Sequence, residues 1–229
     1  MQLLAACQRS STVTKFVLGS STAVYGTSPR DPGMFHESMS ARGGVRAGFP
    51  KDIVEVESYV RGFSRRRPDV LITILRGAQI LDPALEGPLS KYLQAPVLPV
   101  VAGFDPRLQF SHLDDVLAVL AEAVRRDRPG TFNIAGDGVV MLSQAARRLG
   151  RPTLPLPPVG FAATMTRVVR AGGFDVPADL ARVLTYGRAV DTTALREIFG
   201  YELKHTTAEI FEQFRAQVRP GVLSAIGVR

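Results

Sequence analysis

The stretch that decides the fold is Lys15-Phe16-Val17-Leu18-Gly19-Ser20-Ser21-Thr22-Ala23-Val24-Tyr25-Gly26. Its apolar run ends in two adjacent serines and continues into a Tyr-Gly turn. Continuous apolar runs of this kind are typical of parallel strands that are buried on both faces. Open α/β sheets bind their ligands outside the carboxyl ends of such strands. The stretch therefore predicts a buried strand that delivers hydroxyl groups to a ligand site.

The segments that follow complete a βαβ unit. From Lys51 the apolar residues recur with a helical period, and Pro68 ends the helix. The β-branched run 70–75 then predicts a second parallel strand, and 131–135 predicts a third. Residues 1–10 read as the end of a helix that leads into the first strand. Together these elements predict an α/β fold, with further helices in the tail near 159–171, 177–186, 191–199 and 206–218.

Composition excludes several classes of protein. Of the 229 residues, 45% are hydrophobic and 21% charged, which is typical of a folded chain rather than a disordered one. The single cysteine, Cys7, rules out a disulfide framework, and three scattered histidines predict no metal site. The sequence has no run long enough to span a bilayer and no signal-peptide core. We therefore expect a cytoplasmic protein without a membrane partner.

The net charge of +7 invites a nucleic-acid interpretation, but the placement of the basic residues argues against it. The clusters Arg65–Arg67, Arg125–Arg126 and Arg147–Arg148 each fall at the end of a predicted helix. Cations are favourable there because the last carbonyl groups of a helix carry partial negative charge. We therefore expect solvated helix ends and no nucleic-acid partner.

Several segments, in this order, resemble the extended short-chain dehydrogenase/reductases, the NAD-dependent epimerase/dehydratase family. They are the Ser-Ser-x-x-x-Tyr-Gly segment at 20–26, Leu75–Pro83, Phe110–Val116, Thr131–Gly136 and the terminal Asp191–Thr193 with Phe199–Lys204. The resemblance implies a Rossmann-like parallel sheet, NAD or NADP as cofactor, a nucleotide-sugar-like small molecule as substrate, and a homodimer. It implies three regions: the remaining part of the nucleotide-binding domain at 1–83, a mixed region with the substrate-side lobe at 84–215, and a C-terminal tail at 216–229.

The resemblance also implies site residues. Ser21 takes the place of the catalytic hydroxyl, and Lys51 with Glu55 matches the family's Lys-x-x-x-Glu step. Ser20 and Lys51 are then expected to contact the cofactor. Substrate contacts are expected from three further side chains: Tyr25, Gln79 and Arg107. Structural roles remain open for these residues, since serines often satisfy backbone groups after a strand and Lys51 and Glu55 form an ordinary i,i+4 pair.

The sequence departs from the family at two places. Ala47 stands four residues before Lys51, where the family has its catalytic Tyr, and the nearest aromatic residue is Phe49. No Gly-rich turn of the kind that cradles a pyrophosphate follows a strand. The Ser-bearing strand also comes early, so we expect Met1 to be an internal methionine and the first βα units to be missing. Three interpretations stay open: an enzyme whose start lies upstream, a non-catalytic binding member of the fold, and an inactive truncated fragment.

Overall fold

A computed structural model describes residues 2–40, 48–85, 87–161, 165 and 177–225. In these ranges the chain forms β1 (Lys15–Ser21), β2 (Leu71–Gly77), β3 (Gln79–Ile80), β4 (Leu98–Val101), β5 (Arg107–Leu108), β6 (Phe110–Ser111), β7 (Gly130–Ile134), β8 (Val140–Met141) and β9 (Thr153–Leu156). The helices are α1 (Gln2–Arg9), α2 (Gly48–Arg66), α3 (Pro88–Gln94), α4 (Leu113–Arg125), α5 (Leu142–Arg148), α6 (Ala178–Tyr186), α7 (Thr207–Gln217) and α8 (Val222–Ala225). No helix within these ranges is both long enough and apolar enough to cross a membrane.

The main sheet has the order β1-β2-β7, and all its strands are parallel. The register pairs Ser20 with Arg76, and Arg76 with Asn133, so polar residues of all three strands meet at one edge. The three expected sheet strands and their parallel arrangement are confirmed. Parallel strands need crossover connections, and α2 supplies the one between β1 and β2.

Two helix expectations need correction. The second helix begins at Gly48, three residues before Lys51, and the segment Leu195–Phe199 forms a single π-helical turn rather than a regular α-helix. The left-handed conformation of Gly200 ends that turn, with φ of 76°. Helices α6 and α7 match the expected 177–186 and 206–218 within two residues, whereas most of 159–171 lies outside the described residues.

The buried apolar residues form separate clusters. One lies between the sheet and α4, where Leu75, Phe132 and Val119 pack with Phe199 of the π turn. A larger cluster joins the small strands β4–β6 to α5, α6 and α7, with Phe110 and Phe211 among its largest side chains. A third, small cluster surrounds Tyr25 beside the end of β1. The site described next lies against this small cluster.

Arg67 holds α1 in place. None of the residues of α1 is buried, so packing alone contributes little to its position. The guanidinium of Arg67 donates to the carbonyl oxygens of Cys7 at 2.9 Å, Ser10 at 2.8 Å and Val13 at 3.3 Å, and it pairs with Asp69 at 2.6 Å. The third arginine of the basic cluster is therefore a structural contact at a helix end.

Candidate functional site at the carboxyl edge of the sheet

The two serines at the end of β1 have different surroundings. Ser20 Oγ donates to Oε1 of Glu57 at 2.7 Å. Ser21 Oγ accepts from the backbone N–H of Ala23 at 3.2 Å and so caps the 3₁₀ turn Thr22–Tyr25. A hydroxyl can donate as well as accept, and the proton of Ser21 has no acceptor among the described residues. Ser21 therefore keeps a donor for a ligand, whereas the Ser20 proton is already bound.

A buried ion pair lies behind these serines. Glu57 on α2 is fully buried, and its carboxylate accepts from Arg76 Nε at 3.0 Å and from Arg76 Nη2 at 2.7 Å. Arg61 Nη1 adds a third bond at 2.9 Å. Burial alone would raise the pKa of Glu57, but the hydrogen bonds from Arg76 and Ser20 outweigh it and hold that pKa below its usual range. Glu57 is therefore a charged anchor for both Ser20 and Arg76.

Tyr25 is part of the same network. Its hydroxyl donates to Oδ1 of Asn133 at 2.7 Å and accepts from Arg76 Nη1 at 2.9 Å, and its ring stacks on Phe35 with centroids 4.8 Å apart. Burial raises the pKa of Tyr25, although the charge of Arg76 acts in the opposite direction. The side chain is 1% exposed. The structure thus places Tyr25 inside the protein and not on a surface that a substrate touches.

Asn133 and Glu37 connect the network to the rest of the chain. The backbone N–H of Asn133 donates to Glu37 Oε1 at 2.9 Å, and its side-chain amide donates to the carbonyl oxygen of Asp191 at 3.0 Å. Arg76 Nη1 also donates to the carbonyl oxygen of Glu37 at 3.0 Å. The polar network therefore joins three sheet strands to the loop after β1 and to the segment before the π turn.

Lys51 and Glu55 lie outside this network. Both are exposed, and Glu55 accepts from the hydroxyl of Tyr59 at 2.6 Å. The side of α2 that packs inward carries Pro50, Ile53, Glu57, Val60 and Phe63. Since residues four apart share a helix face, the positions that precede the buried Glu57 on its own face are Ile53 and, one turn earlier, Phe49.

Gln79 and Arg107 line two different cavities. Gln79 lines a small cavity of about 30 Å³ together with Thr22, Gln109 and Arg188, next to the end of β1. Arg107 lines a larger cavity of about 310 Å³ on the other side of Arg188. The structure thus brings Ser20 and Tyr25 into one network and Gln79 close to it, and it leaves Lys51 and Arg107 apart.

The central ion pair was not expected from the sequence. Arg76 and Asn133 stand in two of the segments that resemble the family, but nothing in those segments gives them a role. The sequence does not single out Glu57, because α2 carries three carboxylates, Asp52, Glu55 and Glu57, and the Lys-x-x-x-Glu step selects Glu55. A signal was available: Glu57 falls on the apolar stripe of the helix with Val60, where an unpaired carboxylate is costly and a paired one is expected.

The described residues do not provide the usual cradle for a dinucleotide. That cradle needs a Gly-rich turn between a strand and the N-terminus of a helix, whereas β1 leads into a short 3₁₀ turn. No group of three or more potential metal ligands is found in the part of the chain that the structure describes. The arrangement at the end of β1 is instead suited to presenting hydroxyl and amide groups to a polar organic ligand.

The sequence comparisons find relatives that are themselves uncharacterized. No protein-family model matches the chain. Uncharacterized proteins of Mycobacterium tuberculosis (strain H37Rv) and Mycobacterium bovis are 45% identical to it over 215 residues, which is 93% of this chain. The chain spans 57% of the length of these relatives.

Solved structures identify the fold. UDP-glucuronic acid 4-epimerase from Bacillus cereus in complex with NAD has a TM-score of 0.62 at 15% identity, covering 94% of this chain and 65% of that one. dTDP-glucose 4,6-dehydratase from Bacillus anthracis in complex with NAD has a TM-score of 0.64 at 14% identity, covering 94% of this chain and 63% of that one. UDP-glucose 4-epimerase from Thermotoga maritima with UDP-glucose has a TM-score of 0.65 at 17% identity, covering 93% of this chain and 66% of that one. The resemblance to the NAD-dependent epimerase/dehydratase family is therefore confirmed at the level of the fold.

Proposed function

We propose that this chain, which has the fold of the NAD-dependent epimerases and dehydratases, is part of an NAD(P)-dependent epimerase/dehydratase-like protein that binds a nucleotide-sugar-like small molecule. The observation that carries the proposal is the end of β1. There the Ser21 hydroxyl keeps a free donor at the ligand edge of a parallel sheet. We assign Ser21 the role of holding a substrate oxygen.

The neighbouring groups support this role because they fix the position of Ser21. Glu57 binds Ser20, which directly precedes Ser21. Arg76 holds Tyr25, which ends the 3₁₀ turn that Ser21 caps. A ligand-binding group must be held by its surroundings in one orientation to contribute fully. Gln79 lies beside Thr22 on the wall of the small cavity, and we propose that its amide contacts the same ligand.

For the cofactor the support is the fold alone, through solved structures that contain NAD. Ser20 and Lys51 are the residues of this chain that we propose to approach NAD or NADP. Ser20 has only acceptor capacity left, because its proton is donated to Glu57. Since the described residues form no pyrophosphate cradle, we assign no chemical step to the cofactor. We also propose that the protein acts in the cytoplasm and as a homodimer.

A calorimetric titration tests the binding site. UDP-glucose, a nucleotide sugar, is titrated into the whole chain and into its Ser21→Ala variant. We expect Ser21→Ala to weaken binding by roughly tenfold, since one hydrogen bond to a ligand is worth about 1 kcal/mol or more. Ser58→Ala on the exposed side of α2 is the matched control and should bind like the unaltered chain. Equal affinities for all three proteins would refute the role of Ser21.

A second candidate, a binding protein without catalysis, is supported by the residues that precede Glu57 on α2. The family pattern is Tyr-x-x-x-Lys-x-x-x-Glu, and when it is counted back from the buried Glu57 its first two positions hold Phe49 and Ile53. Neither side chain can transfer a proton. In this interpretation Lys51 is a solvent-exposed residue of the first turn of α2.

Turnover of UDP-glucose in the presence of NAD distinguishes the two candidates. If the chain acts as a catalyst, product forms and Lys51→Ala abolishes it, while Lys91→Ala on α3 does not. If the chain only binds, no product forms, and binding of UDP-glucose is the same for Lys51→Ala and for the unaltered chain. The second outcome would support the ligand site and show that Lys51 is not part of it.

A further inference from the structure

Two histidines stack on each other outside the site at the end of β1. His112 directly precedes α4, and His205 lies two residues before the start of α7. Their ring centroids are 3.8 Å apart, and the ring planes differ by 18°. Neither ring lines the small cavity beside β1 or the larger cavity, whose wall includes Phe104, Arg107 and Tyr186. This histidine pair can therefore be considered independently of the proposed function.

The ring of His112 caps α4. Its Nδ1 accepts from the backbone N–H of Asp114 at 3.2 Å. A ring nitrogen that accepts a hydrogen bond carries no proton, so the proton of the neutral ring lies on Nε2. If Nδ1 is protonated, this bond breaks, and one of the first N–H groups of α4 loses its partner. The cap therefore requires a neutral His112.

Asp115 holds His205 against the first turn of α4. This carboxylate is 2% exposed, and it accepts from the backbone N–H groups of Lys204 and His205, each at 3.1 Å. Nδ1 of His205 lies 3.0 Å from Oδ2 of Asp115. Because a carboxylate only accepts, Nδ1 carries the proton of that bond, and Nε2 can take up another proton without breaking it. Asp115 therefore favours a positive charge on His205, whereas the cap opposes one on His112.

The charged groups around the histidine pair balance one additional proton but not two. Besides Asp115, the surrounding elements contribute Asp114, Asp137, Arg196, Glu202, Lys204 and Glu209. Asp137 pairs with Arg196 at 2.9 Å, and Glu209 accepts from the backbone N–H and the hydroxyl of Thr206. Asp114 Oδ2 lies 3.8 Å from Nδ1 of His112, but this side chain is 78% exposed, so water screens its charge. A second imidazolium would therefore face the first across only 3.8 Å without a buried carboxylate of its own.

The segment that follows His205 packs against the end of β7. The backbone N–H of Thr207 donates to the carbonyl oxygen of Asp137 at 2.9 Å, and its hydroxyl donates to the carbonyl oxygen of Gly136 at 2.7 Å. A Cβ on Gly136 would lie 2.7 Å from the backbone nitrogen of Thr207, so the two backbones are in close contact. β7 carries Asn133 of the polar network behind β1. Backbone contacts thus connect the histidine pair to a strand of the main sheet.

We propose that the histidine pair is a pH-sensitive contact. While His112 is neutral, the stack, the cap and Asp115 hold residues 203–206 against the first turn of α4. When both rings are protonated, their repulsion and the loss of the cap separate that segment from α4 and loosen its packing on Gly136. The change occurs in weak acid, below about pH 6.5, where imidazoles ordinarily become charged.

Amide hydrogen exchange of the whole chain, measured from about pH 8 to about pH 5.5 and corrected for its intrinsic pH dependence, tests the proposal. The amides of Lys204 and His205 report directly on the contact, because both donate to Asp115. Their protection should decrease by up to roughly tenfold per pH unit below about pH 6.5, as expected when separation takes up one proton. The amides of β2 should keep their protection over the same range.

Three histidine variants assign the effect to the pair. His112→Asn removes the titrating ring and supplies an oxygen that can cap α4, so Lys204 and His205 should stay as protected in weak acid as near pH 8. His205→Gln removes the other ring and should also abolish the decrease, even if the lost contact with Asp115 lowers protection at every pH. His36→Asn replaces the remaining histidine of the chain, whose side chain is 53% exposed, and is the matched control that should retain the full decrease.

The proposal is wrong if the protection of Lys204 and His205 does not change with pH in the unaltered chain. It is also wrong if the decrease persists in His112→Asn and His205→Gln, or if His36→Asn removes it as fully as they do. An equal loss of protection in β2 would indicate unfolding of the whole sheet in weak acid rather than separation of one segment, and would overturn the proposal as well.

Discussion

Three cationic or hydroxyl side chains surround the carboxylate of Glu57, and the residue has no contact with solvent. A buried ion pair of this type contributes little net stability, because desolvation offsets the attraction. Its value lies in the geometry that it imposes: Arg76 is held by two bonds and can then orient Tyr25. Replacing one member of the pair should therefore measure the unfolding free energy lost when the other member is left unpaired. That loss is distinct from any role of the groups that the pair orients.

Glu57→Gln should destabilise the protein strongly, since it leaves the charge of Arg76 buried and unpaired. We expect a loss of about 3–5 kcal/mol in the free energy of unfolding. Glu55→Gln, two residues earlier on the exposed side of the same helix, should change it by no more than about 0.5 kcal/mol. Urea denaturation followed by circular dichroism measures both. Equal effects of the two substitutions would contradict the assignment of Glu57 as the buried anchor.

The low pKa of Glu57 predicts how this difference depends on pH. A carboxyl group whose pKa is lower in the folded state contributes stability above its unfolded pKa, and that contribution is lost as the pH falls through the folded pKa. The gap in unfolding free energy between the unaltered chain and Glu57→Gln should therefore be full at neutral pH and narrow below about pH 4. A gap that stays constant throughout the acid range would show that Glu57 is not held as a carboxylate.

Tyr25→Phe tests the second member of the network. The ring can keep its contact with Phe35, but Arg76 Nη1 and Asn133 Oδ1 each lose a buried partner. We expect a cost of about 1–3 kcal/mol in unfolding free energy. Tyr59→Phe removes a hydroxyl that bonds only to the exposed Glu55 and serves as the control, with little change expected. If Tyr25→Phe is as mild as Tyr59→Phe, the buried phenol does not stabilise this edge of the sheet.

At the scale of elements, apolar runs were enough to predict the three main strands and their parallel arrangement. Their runs lack the alternation of polar residues that marks a half-exposed strand. The expectation of a buried strand at β1 was wrong, because β1 lies at the edge of the described sheet and none of its residues is buried, whereas β2 and β7 contain buried residues. The inward face of α2 was harder to predict because the steps 51/55 and 53/57 have the same spacing. The apolar stripe of Val60 and Phe63 shows that Glu57 faces inward, but the partner of Glu57, Arg76, lies on another element. A helical period alone contains no information about that partner.

The cluster Arg65–Arg67 supports a prediction for α1. Arg67→Ala removes the donor to three carbonyl oxygens near the end of α1, and α1 has no buried side chain to replace it. Amide hydrogen exchange of α1 should therefore become faster, while the amides of β2 stay protected. Arg65→Ala, an exposed neighbour on α2, is the control and should leave the exchange of α1 unchanged.

At the scale of the whole molecule, five distant segments meet behind the end of β1. Ser20, Glu37, Glu57, Arg76 and Asn133 come from different elements or loops and share one hydrogen-bond network. The meeting of Ser20, Arg76 and Asn133 follows from parallel strand register, which a sequence can suggest. The cavity at Arg107 and Arg188 does not, because it depends on the approach of loops about eighty residues apart.

The most direct test of the ligand site is the mapping of a bound nucleotide sugar by nuclear magnetic resonance. UDP-glucose is added to the isotope-labelled chain, and backbone amide shifts are followed residue by residue. We predict the largest changes at Ser21, Thr22, Ala78 and Gln79, and their loss in Ser21→Ala. Changes confined to Phe104, Arg107 and Tyr186, or no changes at all, would contradict the placement of the ligand site at the carboxyl end of β1.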